Sequence, residues 1–207
     1  MAKYLGSVCK LCRREREKLF LKGERCTAKC TLESKRGKNL PGQQGTSRSK
    51  MSEYARRLRE KQKARRIYGL NEEQFRNYFE RAEKMKGMTG DNLLKMLEQR
   101  LDNVVYRMGI ASSRKSARQM VNHGNVLVNG RTVDLAGFQV KQGDKITVKD
   151  KAKENVFVKK SLERISQVPS WLSFDKSTVS GSVNSAPLLE DLPQTIQSQL
   201  IVELFSK

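Results

Sequence analysis

Four cysteines, Cys9, Cys12, Cys26 and Cys30, stand within the first thirty residues, and the rest of the 207-residue chain has none. They fall as Cys-x-x-Cys, thirteen residues, then Cys-x-x-x-Cys. Two short pairs offer four thiolates, and two tight turns whose backbone NH groups can face the sulfurs, which is what a tetrahedral zinc ion requires. Lys10, Arg13, Arg14, Arg25 and Lys29 surround the pairs, and their charge favours the thiolate form. The competing reading is two structural disulfides or one redox pair. Those suit a secreted or thioredoxin-like chain, and the N-terminus, Met1-Ala2-Lys3-Tyr4-Leu5, has no apolar stretch that would predict export. The spacing therefore predicts a structural zinc ion on Cys9, Cys12, Cys26 and Cys30. Four thiolates leave no open position for a reacting water.

The other chemistry is cationic. The chain carries 42 Lys and Arg against 22 Asp and Glu, a net charge of +20. Residues 1–70 hold 21 basic and 6 acidic side chains, whereas residues 161–207 hold 3 and 5. A charge kept only for solubility needs no such gradient, so an oriented contact with a polyanion is expected, nucleic acid before an acidic membrane surface. Residues 35–50 have no apolar periodicity and five basic side chains, among them Arg48 and Lys50. They read as an arm that orders on phosphates rather than as a linker. Next come Arg56, Arg57, Arg59, Lys61, Lys63, Arg65 and Arg66, seven cations in eleven positions. Their mutual repulsion would weaken an isolated helix, and bound phosphates would relieve it.

Enzyme chemistry has little to work with. His123 is the only histidine, which excludes paired-histidine sites. No Gly-rich phosphate loop is evident. Asp102 and Asp134 read as capping, paired or solvated acids rather than catalysts. Lys50-Met51-Ser52 echoes part of a synthetase loop, but Glu53 breaks the pattern.

These residues need a scaffold. Ser52 to Tyr68 reads as a helix stopped by Gly69, with Tyr54 and Leu58 as a thin apolar seam. Asn71 with Gln74 forms a capping box for a second helix, whose stripe is Phe75, Tyr78, Phe79, Ala82 and Met85. Leu93, Leu94, Leu97, Leu101, Val104, Val105 and Met108 recur at helical spacing up to Gly109. Ser112 or Ser113 caps a shorter helix with Ala117, Met120 and Val121 inward and Arg114, Lys115 and Arg118 outward. Val126-Leu127-Val128, the turn Asn129-Gly130 and Arg131-Thr132-Val133 form a hairpin. Lys145 to Lys149 alternates as a further strand. Ser113, Arg114, Lys115 and Arg118, the His123 loop and Arg131 are expected to form one basic ridge, whose helix N-terminus can take a phosphate. No run is long and apolar enough to predict a membrane span.

The stretches Leu101-Asp102-Asn103-Val104-Val105-Tyr106-Arg107-Met108-Gly109, Ser113-Arg114-Lys115-Ser116-Ala117-Arg118-Gln119-Met120-Val121-Asn122-His123-Gly124 and Val128-Asn129-Gly130 carry a resemblance. So do the cysteine quartet, Leu19 to Cys26, and Leu58-Arg59-Glu60-Lys61-Gln62-Lys63 with Arg65-Arg66-Ile67-Tyr68-Gly69. Together they resemble the bacterial-type small-subunit ribosomal protein S-four family (the universal uS-four family) in its zinc-binding, four-cysteine form. The likeness runs colinearly from about residue 2 to 165 and resumes at Leu200-Ile201-Val202-Glu203. Two departures stand out. The second cysteine pair is one residue tighter than is usual, and Leu40-Pro41-Gly42-Gln43-Gln44-Gly45 lacks one proline and a histidine of the family segment.

The resemblance implies an α+β fold: a mostly helical N-terminal domain with a zinc knuckle, plus a small inserted module of two helices and an antiparallel sheet. The expected divisions are 1–50 (zinc segment and basic arm), 51–92 (helical part of the N-terminal domain), 93–158 (RNA-binding module) and 159–207 (packing back on the helical domain, with Trp171, Leu172, Phe174 and residues 200–205 available for it). It implies a non-enzymatic constituent of the small ribosomal subunit in the cytoplasm. Such a protein binds small-subunit ribosomal RNA directly, nucleates assembly of the subunit body and contributes to translational accuracy. The implied neighbours are ribosomal protein S-five and the messenger RNA entry region, with no membrane and no small-molecule substrate. The expected RNA contacts are Arg48, Lys50, Arg56, Arg57, Arg59, Lys61, Lys63, Arg65, Arg66, Ser113, Arg114, Lys115, Arg118, His123, Asn129 and Arg131.

Overall fold

The structure is a computed structural model that describes residues 4–37, 39–43, 45, 50–163 and 168–206. Two compact units divide the chain: Met1–Gly90 with Gln194–Lys207, and Asp91–Pro193.

In the first unit, α1 (Val8–Glu15) and the short α2 (Arg25–Ala28) carry three of the four cysteines. They precede α3 (Glu53–Ile67) and α4 (Glu72–Glu83). The Ser52 side chain caps α3 by accepting from the Ala55 NH at 3.2 Å. The capping box expected at Asn71 is present, with the Gln74 NH donating to Asn71 Oδ1 at 2.7 Å. Phe75, Tyr78, Phe79 and Ala82 of α4 are buried, but Met85 is about half exposed, because α4 ends at Glu83. The C-terminal helix α10 (Ser198–Phe205) returns to this unit and packs along α3. Ile201 is fully buried there. The Phe205 ring stacks on Phe79 with centroids 4.2 Å apart.

The second unit opens with α5 (Thr89–Glu98), α6 (Leu101–Arg107) and α7 (Arg114–Asn122). The apolar repeat from Leu93 to Met108 predicts one helix, but the structure breaks it at Arg100, whose backbone is extended. The segment 136–140 crosses there. Leu101 NH donates to Phe138 O at 2.9 Å, Asp102 NH to Ala136 O at 3.2 Å, and Val140 NH to Gln99 O at 3.0 Å. Both helices keep their apolar faces inward, so the repeat survives the break.

A five-stranded antiparallel sheet follows, with β1 (Val126–Val128), β2 (Arg131–Thr132), β3 (Lys145–Val148), β4 (Leu172–Asp175) and β5 (Ser180–Val183) in the order β2-β1-β3-β5-β4. Asn129 and Gly130, at φ 50° and 80°, make the tight hairpin turn that needs two left-handed residues. Val126, Val128, Ile146 and Val148 face a core shared with Leu101, Val104, Val105, Met108, Ala117 and Val121. Between β3 and β4 lie two short helices, α8 (Asp150–Lys153) and α9 (Val156–Leu162).

The return onto the helical unit begins only at Gln194, rather than covering 159–207. The hairpin of β4 and β5 pairs instead with the edge of β3, in the register Ile146↔Gly181. Trp171, Leu172, Val179 and Val183 join the core of the second unit, with Phe174 packed against it. An unpaired β3 edge would leave backbone donors and acceptors open, and this Ser-rich hairpin closes it.

Candidate nucleic-acid interface

The four cysteines line one small cavity between α1, the turn at Lys22 and the stretch 25–32. Cys12 and Cys26 are buried and Cys9 and Cys30 half-buried, all as free thiols. The backbone NH of Lys22 donates to Cys26 Sγ at 3.3 Å. Burial pushes the Cys12 thiol up, the backbone hydrogen bond with Leu19 pulls it down, and the charges of Cys26, Cys9 and Cys30 push it further up. Among the described residues, no three His, Cys, Asp or Glu side chains close into a set that could hold a metal ion. In number, softness and the NH group aimed at sulfur, the four thiols nevertheless fit a tetrahedral thiolate-binding ion.

The cations of α3 do not all face outward. Arg66 and Arg59 both pair with Glu15, whose side chain is 2% exposed; the Arg59 contact is 3.3 Å. Burial lifts the Glu15 carboxyl, and the positive charges of Arg66 and Arg59 only partly offset it. Arg57 Nε donates to Glu203 of α10 at 2.8 Å. Lys61 pairs with Glu72 and lies 5.4 Å from the Phe205 ring centroid. Arg65 approaches Glu72 at 3.6 Å. Lys63 is buried against Glu60 at 2.8 Å and Glu17 at 3.2 Å, and it donates to the Thr195 carbonyl. Burial would lower its pKa, but those carboxylates outweigh burial and hold it above the ordinary lysine value. Acids of α1, α4 and α10 thus relieve the repulsion that the sequence predicts, where phosphates were expected to do so. Tyr54 is exposed, so the apolar seam expected at Tyr54 and Leu58 gives way to a buried face of Lys61, Lys63, Ala64 and Ile67. Lys50 and Arg56 are exposed and, among the described residues, in no ion pair. Arg48 lies outside the described residues.

Cations of the second unit are anchored in the same way. Arg118 binds the buried carboxylate of Asp102 at 2.8 and 2.9 Å, and Arg100 holds that carboxylate at 2.9 and 3.1 Å. Glu98, with no exposed surface, accepts two 2.8 Å bonds from Arg107 and a third from Asn103. Arg114 donates to Asn103 Oδ1 at 2.7 Å and lies over the Tyr106 ring at 4.5 Å. Ser113 caps α7 by accepting from the Ser116 NH at 3.3 Å. Asn129 is committed to its turn, accepting from the Lys145 NH and donating to Asp144, both at 2.8 Å. Lys115, His123 and Arg131 are exposed. The sequence pattern marks the cations of α3 and α7 but not Glu15, Glu98, Arg100 and Arg107, the buried acids and their arginine partners. Nothing local marks a buried acid whose partner arrives from another helix.

Two family descriptions match adjoining parts of the chain. "Ribosomal protein S4/S9 N-terminal domain" matches residues 3–98 and "S4 domain" matches residues 99–146. The small ribosomal subunit protein uS4 of Endomicrobium trichonymphae is 64% identical over the whole of both chains. The chain belongs to the ribosomal protein uS4 family. The uS4 proteins of Acetivibrio thermocellus and Geotalea daltonii are 54% and 53% identical, again over the full length of each. The uS4 family is one of ribosomal proteins, not of enzymes, which disposes of the synthetase-like echo at Lys50-Met51-Ser52. Among the described residues no helix is long and apolar enough to cross a membrane.

Proposed function

We propose that this chain is a structural constituent of the small ribosomal subunit that binds the subunit's ribosomal RNA directly. It nucleates folding of the subunit body and helps set the accuracy of decoding. The observation that carries this reading is the identity of 64% with a small ribosomal subunit protein over every residue of both chains. The physics agrees with it. The net charge of +20 needs a polyanion, and the cations sit on frames made rigid by buried carboxylates. Such a surface holds its charges at fixed spacings, so one arrangement of RNA strands satisfies them together and a generic duplex does not. Lys50, Arg56, Lys115, His123 and Arg131 supply the exposed contacts. The outward parts of Arg57, Arg59, Arg65, Arg66, Arg114 and Arg118 add to them, and Lys61, Lys63, Ser113 and Asn129 hold the frame.

Cys9, Cys12, Cys26 and Cys30 would hold a structural zinc ion. Zinc there supplies cross-links that close residues 9–30 into a fixed shape, a contribution of about 10 kcal/mol to folding in small zinc modules. Native mass spectrometry of metal-replete protein is expected to find one zinc per chain, and finding none would remove the ion from this account. Within the subunit, the neighbours read from the family likeness are protein S-five and the messenger entry region.

Crosslinking in cells, followed by sequencing of the attached RNA, tests the whole. Small-subunit ribosomal RNA should dominate the recovered reads. A chain that crosslinks elsewhere and sediments apart from ribosomal particles would overturn the reading.

A further inference from the structure

A cleft of about 1000 Å³ lies between the end of α1, the turn at residues 40–43 and the first turns of α3. Pro41, Met51 and Leu58 are among its apolar walls, and Arg14, Arg16 and Lys50 bring positive charge to it. Glu15 is the one acid among its described lining residues. That carboxylate is almost wholly buried and engaged by Arg59 and Arg66, so it does not neutralise the cations at the rim. Arg14 and Arg16 are exposed, and among the described residues neither takes part in an ion pair. Arg16 ends α1 at φ 56°, the left-handed conformation that glycine adopts without strain. A cation stands where the backbone favours glycine, and its side chain lines the cleft.

We infer that this cleft receives one unpaired nucleotide of the ribosomal RNA, with its base on Pro41, Met51 and Leu58 and its phosphates on Arg14, Arg16 and Lys50. The inference rests on the ribosomal RNA reading given above and adds a site to it. Apolar walls with a cationic rim match a base whose faces are apolar and whose backbone is anionic. Single-stranded loops and bulges offer such splayed bases, whereas a paired helix keeps its bases stacked inside. The volume is at the upper end of the roughly 300–1,000 Å³ usual for pockets that hold small ligands. An acidic peptide would satisfy the arginines but leave the apolar walls unused.

The test uses the full chain and protein-free small-subunit ribosomal RNA, comparing wild type with the double variant Arg14→Gln and Arg16→Gly. Glycine at position 16 keeps the left-handed helix end, and an unchanged thermal transition verifies the fold. Both proteins should bind the RNA. Chemical probing should show at least one unpaired nucleotide protected on its base by the wild type and released by the double variant. The slope of log affinity against log salt should fall by about 1.4, near 0.7 for each single-strand phosphate that is no longer neutralised. Making that nucleotide abasic should weaken wild-type binding by about fivefold or more, as expected for losing the apolar area that one base buries against aliphatic walls. If the double variant keeps the wild-type slope, affinity and protections, the cleft holds no RNA, while the ribosomal reading stands. If the abasic RNA binds as well as the intact one, only phosphate is held there and the nucleotide site is refuted. If wild type itself ignores this RNA, both readings fall.

Discussion

Arg118 and Arg100 share one carboxylate: Asp102 Oδ2 lies 2.8 Å from Nη2 of Arg118 and 2.9 Å from Nη2 of Arg100. The partners are unequal. Arg100 is 4% exposed and has Asp102 as its carboxylate, while the side chain of Arg118 keeps 22% of its surface open to solvent. Asp102→Ala should therefore remove the paired carboxylate from a buried guanidinium and cost about 3–5 kcal/mol, as breaking a buried pair does. Arg118→Ala leaves the bidentate Arg100 pairing in place and should cost less, about 1.5–3 kcal/mol, the range of a hydrogen bond to a charged group. Urea unfolding of the full chain checks the ranking, and equal losses would show that Arg118 is as much a core residue as Arg100. Part of any RNA-binding defect of Arg118→Ala must then be charged to stability, not to a missing phosphate partner.

The β5 strand passes so close to the Ser173 carbonyl of β4 and to the Met108 side chain just past α6 that only glycine fits at position 181. A Cβ added there would lie 2.8 Å from Met108 Cε and 2.5 Å from the Ser173 carbonyl oxygen. Gly181→Ala should destabilise the chain by about 1–3 kcal/mol through overpacking. Pairing it with Met108→Leu, which removes the offending terminal methyl, should restore part of that loss. The Ser173 carbonyl is backbone and cannot yield as easily, so full restoration would contradict this packing.

Several features of the fold were legible because the signal was local. Asn129-Gly130 fixed the hairpin, Asn71 with Gln74 fixed the start of α4, and the apolar periods found the cores of α5, α6 and α7. What escaped was non-local. The break at Arg100 is made by hydrogen bonds to residues 136–140, which no reading of positions 93–108 contains. The strands β4 and β5 are short and Ser-rich, with Ser173 and Ser182 directly paired at 2.7 Å on one face. Their inward residues, Leu172 and Val183, are too few for a period of two to register. The cations of α3 looked free for phosphates because their acidic partners, Glu15, Glu17 and Glu203, stand far away in sequence. Of the candidate site, then, the residue types could be read, but not the division between cations that hold the frame and cations that face solvent.

Glu72 and Glu15 should respond to acid in opposite senses. Burial alone would raise the Glu72 carboxyl, but the hydrogen bond and charge of Lys61, the charge of Arg65 and the hydrogen bond from Gln62 outweigh it and hold it below the ordinary range. Its contribution is present above the unfolded value of about 4.3 and is lost as pH falls through the folded value. Glu15 is raised by burial against the pull of Arg66 and Arg59, so the folded state binds its proton more tightly. Its contribution is greatest below the unfolded value and declines as pH rises through the folded one. Unfolding free energies measured from about pH 3 to 7 should give a shallower acid limb for Glu72→Gln and a steeper one for Glu15→Gln. The same change of slope in both variants would contradict these assignments.

The division of labour among the cations gives a last measurable contrast. Lys115 and Arg131 are exposed, whereas Lys61 and Lys63 are buried, each paired with at least one carboxylate. If exposure decides who meets phosphate, Lys115→Ala with Arg131→Ala should leave the unfolding midpoint within experimental error. The same pair should lower the salt slope of ribosomal RNA binding by about 1.4–1.8, near 0.7–0.9 for each phosphate set free. Lys63→Ala should do the reverse. It removes the cation shared by Glu60 and Glu17, leaves a cavity where the lysine stem was buried and frees the Thr195 carbonyl, so stability should fall while the slope stays close to wild type once folded protein alone is counted. Filter binding across about 50–300 mM salt with unfolding curves on the same preparations separates the two classes. A reduced slope for Lys63→Ala at full foldedness would place that lysine on the RNA after all, and would mean that phosphates displace the carboxylates of α3 when the subunit assembles.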